Sequence, residues 1–285
     1  MNSASKPSQP VKPAPAPPQA PAPRAARRFT IASGKGGVGK TWFAITLAQA
    51  LAFLGERVLV VDGDLGLANV DVQLGIEPKA DLAAVISGTV SLPGAVTPFT
   101  GGTGDAAKGG FDVLPGRSGA GTLAALSQSE LDALAKGIAA LENSYDRVIV
   151  DLGAGLDSAV TTLSTQHPGR GGNAILVVMT DEPTSLTDAY AFIKVIRMRA
   201  PEADLRAVIN RAPSLTQGKR TYQALSTATQ NFLSFVPPLA GIVLDDPKVS
   251  DTIRHQAALL ARHPQSKAGE SVMAIARGLI GTPSR

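Results

Sequence analysis

Gly34-Lys-Gly-Gly-Val-Gly-Lys40-Thr41 is the stretch on which the reading of this chain turns. It has the spacing G-x-x-x-x-G-K-T, directly after an expected strand, Phe29–Ser33, and directly before the first expected helix; that context gives the spacing its meaning. Glycines let successive backbone N–H groups turn inward around phosphate oxygens, and the helix N-terminus adds the positive end of its dipole. Gly34, Gly36, Gly37, Val38 and Gly39 are thus expected to wrap a polyphosphate. Lys40 is expected to reach its β- and γ-phosphates, and the Thr41 hydroxyl to ligate Mg²⁺. A glycine-rich turn that binds nothing is the plain alternative, and the complete match in its strand–loop–helix setting outweighs it. A second lysine, Lys35, follows the first glycine. It is poorly placed to serve the same phosphates as Lys40 and is expected to project outward, toward a nucleotide held by a neighbouring subunit; otherwise it is a solvated surface charge.

Outward from the loop, short β-branched runs alternate with helical patterns. Strands are expected at Phe29–Ser33, Arg57–Asp62, Phe111–Leu114, Arg147–Asp151, Ala174–Thr180, Leu205–Asn210 and Gly241–Leu244. Several are continuously apolar, as parallel strands covered on both faces should be. Ser127 and Glu130 have capping-box spacing ahead of Leu131, Leu134, Ile138 and Leu141, and Pro183 opens a helix that carries Leu186, Tyr190, Ile193 and Met198. The alternation predicts a doubly wound α/β domain with a mostly parallel sheet flanked by helices on both faces. Gly101–Gly110 and Gly169–Gly172 read as surface loops.

Open α/β sheets place ligands at the carboxyl ends of their strands. Two expected strands end there in acids: Val58-Leu-Val-Val-Asp62-Gly-Asp64, and Arg147-Val-Ile-Val-Asp151 followed by Gly153-Ala-Gly155. A strand-end carboxylate can support Mg²⁺ through water and a neighbouring one can orient an attacking water. A single such Asp would read as a helix N-cap; three beside a phosphate loop reverse that reading. The Gly153–Gly155 segment is expected to move when a γ-phosphate arrives.

Composition bounds the rest. The 285 residues include no cysteine, which excludes disulfide frameworks, cysteine-ligated metal and thiol catalysis. The formal charge is +4, but residues 1–28 carry Lys6, Lys12, Arg24, Arg27 and Arg28 and no acid, so the remaining 257 residues sum to −1. Eight of the 21 prolines fall between positions 7 and 23. Residues 1–27 are therefore expected to be a disordered, basic Pro/Ala leader ahead of one domain at 28–285; a docking arm for an acidic partner is the sharper alternative. No run reaches transmembrane length or has the apolar core of a signal peptide.

These residues resemble the MinD/ParA class of deviant-Walker ATPases, whose signature lysine stands at Lys35 within Lys-Gly-Gly-Val-Gly-Lys-Thr. Asp62-Gly-Asp-Leu-Gly-Leu-Ala-Asn69-Val-Asp71-Val-Gln-Leu-Gly75, Glu182-Pro-Thr-Ser-Leu-Thr-Asp188 and Asp246-Pro-Lys-Val249 with Ile253-Arg-His-Gln256 are similar to the flagellar number and placement regulators (the FlhG/FleN/YlxH branch). The resemblance runs from Arg28 to about Gly281. It implies an ATP- and Mg²⁺-dependent, low-turnover ATPase that forms a homodimer on ATP binding. By the family pattern, Lys35 contacts the partner subunit's phosphates, Asp64 positions the hydrolytic water, and Asp62 and Asp151 support Mg²⁺. Asn210 matches the adenine-reading position, Asp246 lies in the base- and ribose-contacting loop, and Gly153 belongs to the second switch. The implied partner is a flagellar GTPase or basal-body protein, and the implied location is the cytoplasm, at most peripheral to the inner face of the membrane. Two features depart from the pattern. The Pro/Ala leader replaces the Asp-Gln-Ala-type start of flagellar members, and Leu244 stands where relatives commonly have proline.

Two alternatives belong to other classes. A ParA-like segregation ATPase coating DNA needs a basic surface, and the visible cluster is Lys194, Arg197 and Arg199, thin for a body of charge −1. A MinD-like division regulator needs a C-terminal membrane helix. Val272, Met273, Ile275, Ala276, Leu279 and Ile280 form an apolar stripe, but so little positive charge flanks it that core packing is the expectation.

Overall fold

The computed structural model describes residues 26–102, 108–116, 126–167 and 172–281, with Ala26 and Arg27 described in backbone only. The expected leader lies outside the described residues up to position 25, as do the centres of the two expected glycine loops.

Eight strands form one sheet: β1 (Ala26–Ser33), β2 (Val58–Gly63), β3 (Thr97–Phe99), β4 (Phe111–Leu114), β5 (Arg147–Ala154), β6 (Gly172–Met179), β7 (Asp204–Ala212) and β8 (Leu239–Leu244). Their order is β3-β4-β2-β5-β1-β6-β7-β8, every neighbouring pair being parallel except β3 with β4. The inner strands read as unbroken apolar runs because helices cover both sides: Val58 to Val61 of β2 and Ala174 to Met179 of β6 are all buried. This is the doubly wound, mostly parallel α/β sheet that the alternation implies. From β1 the chain crosses to β2 on one side and from β5 it crosses to β6 on the other, so a topological switch flanks β1 at the carboxyl edge, where such sheets bind ligands.

The helices are α1 (Lys40–Phe53), α2 (Val70–Leu74), α3 (Leu82–Ile86), α4 (Gln128–Leu141), α5 (Ser158–Thr165), α6 (Pro183–Arg199), α7 (Leu215–Leu233), α8 (Pro247–Arg254), α9 (Leu259–Arg262) and α10 (Lys267–Ile280). One core layer joins α1, α9 and α10 to one face of the sheet, and the other joins α4 to α7 to the opposite face. The capping box of α4 forms as its spacing implies, with Ser127 accepting from Glu130 N and Glu130 returning to Ser127 N. Leu131, Leu134, Ile138 and Leu141 bury its apolar face. The C-terminal stripe packs inward: Val272, Ile275, Ala276 and Leu279 are buried, and α10 packs on α1 and β8. Among the described residues no helix is long and apolar enough to cross a membrane.

Four expectations need correction. The expected leader of residues 1–27 runs two residues too far, since β1 begins at Ala26, and Arg28, counted with the basic stretch, belongs to the sheet. It lies inside β1, fully buried, with Nε donating to Glu142 at 2.6 Å while the His167 ring lies 3.0 Å from the same carboxylate. β5 runs three residues past Asp151, pairing Ala154 with Ser33, so Gly153 is in strand rather than loop. Met198 is 74% exposed instead of lying along the buried face of α6. β3 was not expected; it is an antiparallel edge of three residues containing Pro98, a residue that an edge position tolerates.

Candidate functional site

The glycine loop links β1 to α1 and cannot be built from other residues. A Cβ on Gly34 would overlap the Asp188 carbonyl of α6, and Gly39, the N-cap of α1, adopts φ 90° with the Asn210 amide 2.6 Å from where its Cβ would stand. The Asn210 side chain, reaching from the end of β7, donates from Nδ2 to the Val38 carbonyl at 2.8 Å. The loop is thus held from outside by α6 and β7 while its inner face stays open.

That inner face borders a cavity of about 510 Å³ lined by Gly36, Gly37, Gly39, Lys40, Thr41, Asp64 and Gly153, among others. Lys40 is 92% buried there; burial lowers its pKa, and the Asp151 and Asp64 charges pull it back up. A second cavity of about 410 Å³ adjoins it, lined by Asn210, Arg211, Leu244, Asp245, Asp246 and Pro247. The two linings bring together Gly36, Gly37, Gly39, Lys40, Thr41, Asp64, Asn210 and Asp246, whereas Gly34, Val38, Asp62 and Asp151 are in neither. Lys35 stands apart. Its Nζ reaches Glu182 Oε2 at 2.5 Å and Thr184 Oγ1 at 2.8 Å, at the N-terminus of its own α6 and outside the lining of the phosphate-loop cavity.

The three strand-end carboxylates are in unequal states. Register pairs Asp62 with Asp151 across β2 and β5. Asp62 accepts from the backbone N–H groups of Asp64, Asn69 and Val70, so it fixes the chain that leaves β2. Asp64 Oδ1 accepts from Gly66 N and Leu67 N, closing the next turn, and lies 3.3 Å from the point a Gly153 side chain would occupy. Asp151 is fully enclosed beside the Thr41 hydroxyl, and neither of its oxygens has a hydrogen-bond partner of normal geometry. Burial first, then repulsion from Asp62, push its pKa well above the ordinary carboxylate range; burial raises Asp62 likewise, against its three N–H donors.

An orphaned buried carboxylate beside a hydroxyl is the donor set a hard divalent cation such as Mg²⁺ takes up. Among the described residues no group of three or more His, Cys, Asp or Glu has metal-holding geometry, so a cation here would complete its shell with ligand oxygens and water. Asp246 is more committed than its sequence context implies. It caps α8 through Lys248 N and also accepts from Ala268 N; burial opposes ionisation, and these backbone donors outweigh it, holding its pKa below the usual value. Sequence reasoning missed Trp42 and Ile253, which line both cavities; the one available signal was that Trp42 directly follows Thr41.

The raised pKa of Asp151 has a sign that can be checked. From about pH 4 upward the unfolded chain ionises this group while the folded one keeps its proton, so the nucleotide-free protein loses stability as pH rises toward the folded value. Asp151→Asn is expected to remove its share of that slope, the raised Asp62 keeping its own. Its melting temperature should exceed the native protein's by several degrees at pH 8, at roughly 2–4 °C per kcal/mol for a domain of this size, and match it near pH 4. Calorimetric scans without nucleotide at the two pH values check this; equal melting temperatures at pH 8 would contradict the strained carboxylate.

The CobQ/CobB/MinD/ParA nucleotide binding domain family matches residues 29–273. The chain is 34% identical to the antiactivator FleN of Pseudomonas aeruginosa over 255 residues, 90% of this chain and 86% of that protein. It is 29% identical to the flagellum site-determining protein YlxH of Helicobacter pylori, covering 88% and 81% of the two chains. In fold it is similar to the septum site-determining protein MinD from Pyrococcus horikoshii complexed with Mg-ADP, with TM-score 0.69, 22% identity and coverage of 89% and 95%.

Proposed function

The chain belongs to the CobQ/CobB/MinD/ParA nucleotide-binding family, and from that premise we propose that it is an ATP-driven dimerisation switch: a slow, Mg²⁺-dependent ATPase that regulates flagellar number or placement. The observation that carries the reading is the division of labour between the loop's two lysines. Lys40 is buried in the phosphate-loop cavity, whereas Lys35 is held by Glu182 and Thr184, partly exposed and outside the lining of that cavity. A cation outside its own phosphate cavity, held by a partly exposed ion pair, can be exchanged onto a nucleotide that a second copy brings to this face.

The remaining residues fall into roles. Backbone N–H groups of the loop and the Lys40 ammonium bind the polyphosphate. Thr41 and Asp151 would hold Mg²⁺, which would supply neutralisation of phosphate charge, while Asp62 keeps the Asp64 turn in place. Asp64 orients the attacking water, and its closeness to Gly153 couples that turn to the end of β5. With its amide nitrogen on Val38, Asn210 offers its carbonyl oxygen to the adenine amino group. ATP shifts the population toward the dimer because γ-phosphate and trans Lys35 contacts exist in that state alone. Hydrolysis removes them and returns the monomer, with Lys35 on Glu182. The flagellar assignment rests on the likeness to FleN and YlxH. Among the described residues nothing favours DNA: of the three clustered charges, Arg197 is committed to the Phe235 ring and the Pro201 carbonyl.

Lys35→Ala tests the switch at its defining residue. It is expected to bind ATP within about threefold of the native affinity yet stay monomeric at saturating ATP, as read by light scattering coupled to gel filtration. A variant that dimerises normally would remove the trans assignment of Lys35.

A further inference from the structure

We infer that Gln256 is a positioning residue for nucleotide binding: its side-chain amide fastens the end of α8, a wall of the second cavity, to α2, and so sets the affinity for ligands that carry a nucleoside. This rests on the nucleotide reading of the groove. α8 ends in a Schellman turn, in which Gln256 N donates to the Ile253 carbonyl at 3.2 Å and Ala257 N to the Thr252 carbonyl at 3.1 Å. The residue after the cap of such a turn takes the left-handed conformation, which glycine adopts without strain. Gly75 and Gly281 adopt it at the ends of α2 and α10, with φ 63° and 73°. At α8 the place belongs to glutamine, at φ 49°. A strained side chain points to something that glycine could not supply. Here Nε2 donates to the Val72 carbonyl of α2 at 3.0 Å, across 184 residues of sequence, and a Cβ on Gly75 would stand 3.0 Å from the Gln256 Cβ. The two helix ends are seated on one another.

The two helices are not equally fixed. α2 buries Val70 and Leu74 in the core layer of α1. α8 buries Thr252 alone and is held mainly at its margins. Asp246 accepts from Ala268 N, while Asp251 accepts from Arg262 Nε at 2.7 Å and lies 2.8 Å from His263 Nε2. Yet Pro247, Val249, Ser250 and Ile253 of α8 line the second cavity. Gln256 stands one turn beyond Ile253, so its bond to the better-anchored α2 sets how closely that wall approaches the groove. Lys40 and Thr41 line the first cavity and not the second. A ligand made of phosphates alone is therefore expected to ignore the fastening, whereas one whose nucleoside occupies the second cavity is expected to depend on it.

The test uses the full chain and calorimetric affinities for ADP, AMP and inorganic tripolyphosphate. Gln256→Met keeps the length of the side chain, adds no charge and removes the donor. It is expected to weaken ADP and AMP about three- to tenfold, the range one neutral hydrogen bond supplies, and to bind tripolyphosphate as the native protein does. Gln256→Gly removes the same bond and relieves the left-handed backbone, so it is expected to show the same selective loss while melting no lower than the native protein. Native affinity for ADP in either folded variant overturns the inference. So does an equal loss for tripolyphosphate, which would mean a general loosening of the fold. If Gln256→Met does not fold, Gln256→Gly decides by the same comparison. Native protein that binds neither ADP nor AMP overturns the nucleotide reading itself, a result distinct from native binding that the variants leave intact.

Discussion

Lys40→Ala loses ATP binding, with the dissociation constant rising at least 10²–10³-fold and out of calorimetric range. The size of the effect follows from burial. Lys40 is 92% buried in a cavity that Asp64 and Asp157 also line, and among the described residues no other lysine or arginine lines that cavity. Without it a polyanion would enter a pocket whose only formal charges are negative. Truncating one member of a buried charged pair costs about 2–5 kcal/mol, each 1.4 kcal/mol being tenfold. The loop itself survives, because Gly34 against α6 and Asn210 on Val38 hold it without the lysine. A melting temperature close to native, measured beside the binding isotherm, separates lost affinity from lost fold. Retained micromolar binding would mean that the loop amides alone suffice.

Asp64→Ala is expected to separate binding from turnover. ATP affinity should stay within about threefold, hydrolysis should fall about 10²–10⁴-fold as for loss of a group that positions or deprotonates the nucleophile, and the ATP-bound dimer should accumulate. One complication comes from the structure: Asp64 also accepts from Gly66 N and Leu67 N, and losing such a cap costs about 1 kcal/mol. Asp64→Asn keeps an acceptor for that turn and removes the negative charge, so the two variants together distinguish a loosened turn from lost chemistry. If both remain monomeric at saturating ATP, the switch is wrong. If both hydrolyse at the native rate, the water is oriented elsewhere.

How much of this was legible beforehand depended on what kind of interaction recorded it. The loop was legible because its glycines, Lys40 and Thr41 stand at fixed spacing in a strand–loop–helix setting, although what Gly34 and Gly39 must clear, Asp188 and Asn210, lies far along the chain. The β4 bounds and the α4 capping box were local. Strand-end acids could be located but not told apart. Asp62 and Asp246 spend their oxygens on backbone N–H groups up to 22 residues away while Asp151 spends none, and nothing in their neighbouring residues records that. Arg28 sat beside Arg24 and Arg27 and took their reading; its partner Glu142 is 114 residues distant. Trp42 looked like one more apolar residue of a buried helix, because a junction between two cavities has no linear signature. The edge strand β3 is too short, and Pro98 too unlike a strand residue, for any periodic pattern to mark it.

The contacts of α6 with the glycine loop have a mechanical consequence. The helix is fixed to the loop at two points of its first turns, the Asp188 backbone seated on Gly34 and the Glu182 and Thr184 side chains on Lys35. Its 17 residues make a rod about 25 Å long. Pivoted at one end, such a rod acts as a lever: a tilt of about 5° at the loop displaces the other end by about 2 Å, simple geometry on that length. What stands at the other end is Met198, three-quarters exposed on the surface. Because Phe192, Ile193 and Ile196 bury the middle of α6 and Arg197 ties its far end to the Phe235 ring, such a tilt would be carried into the packing along the whole helix rather than stay at the loop.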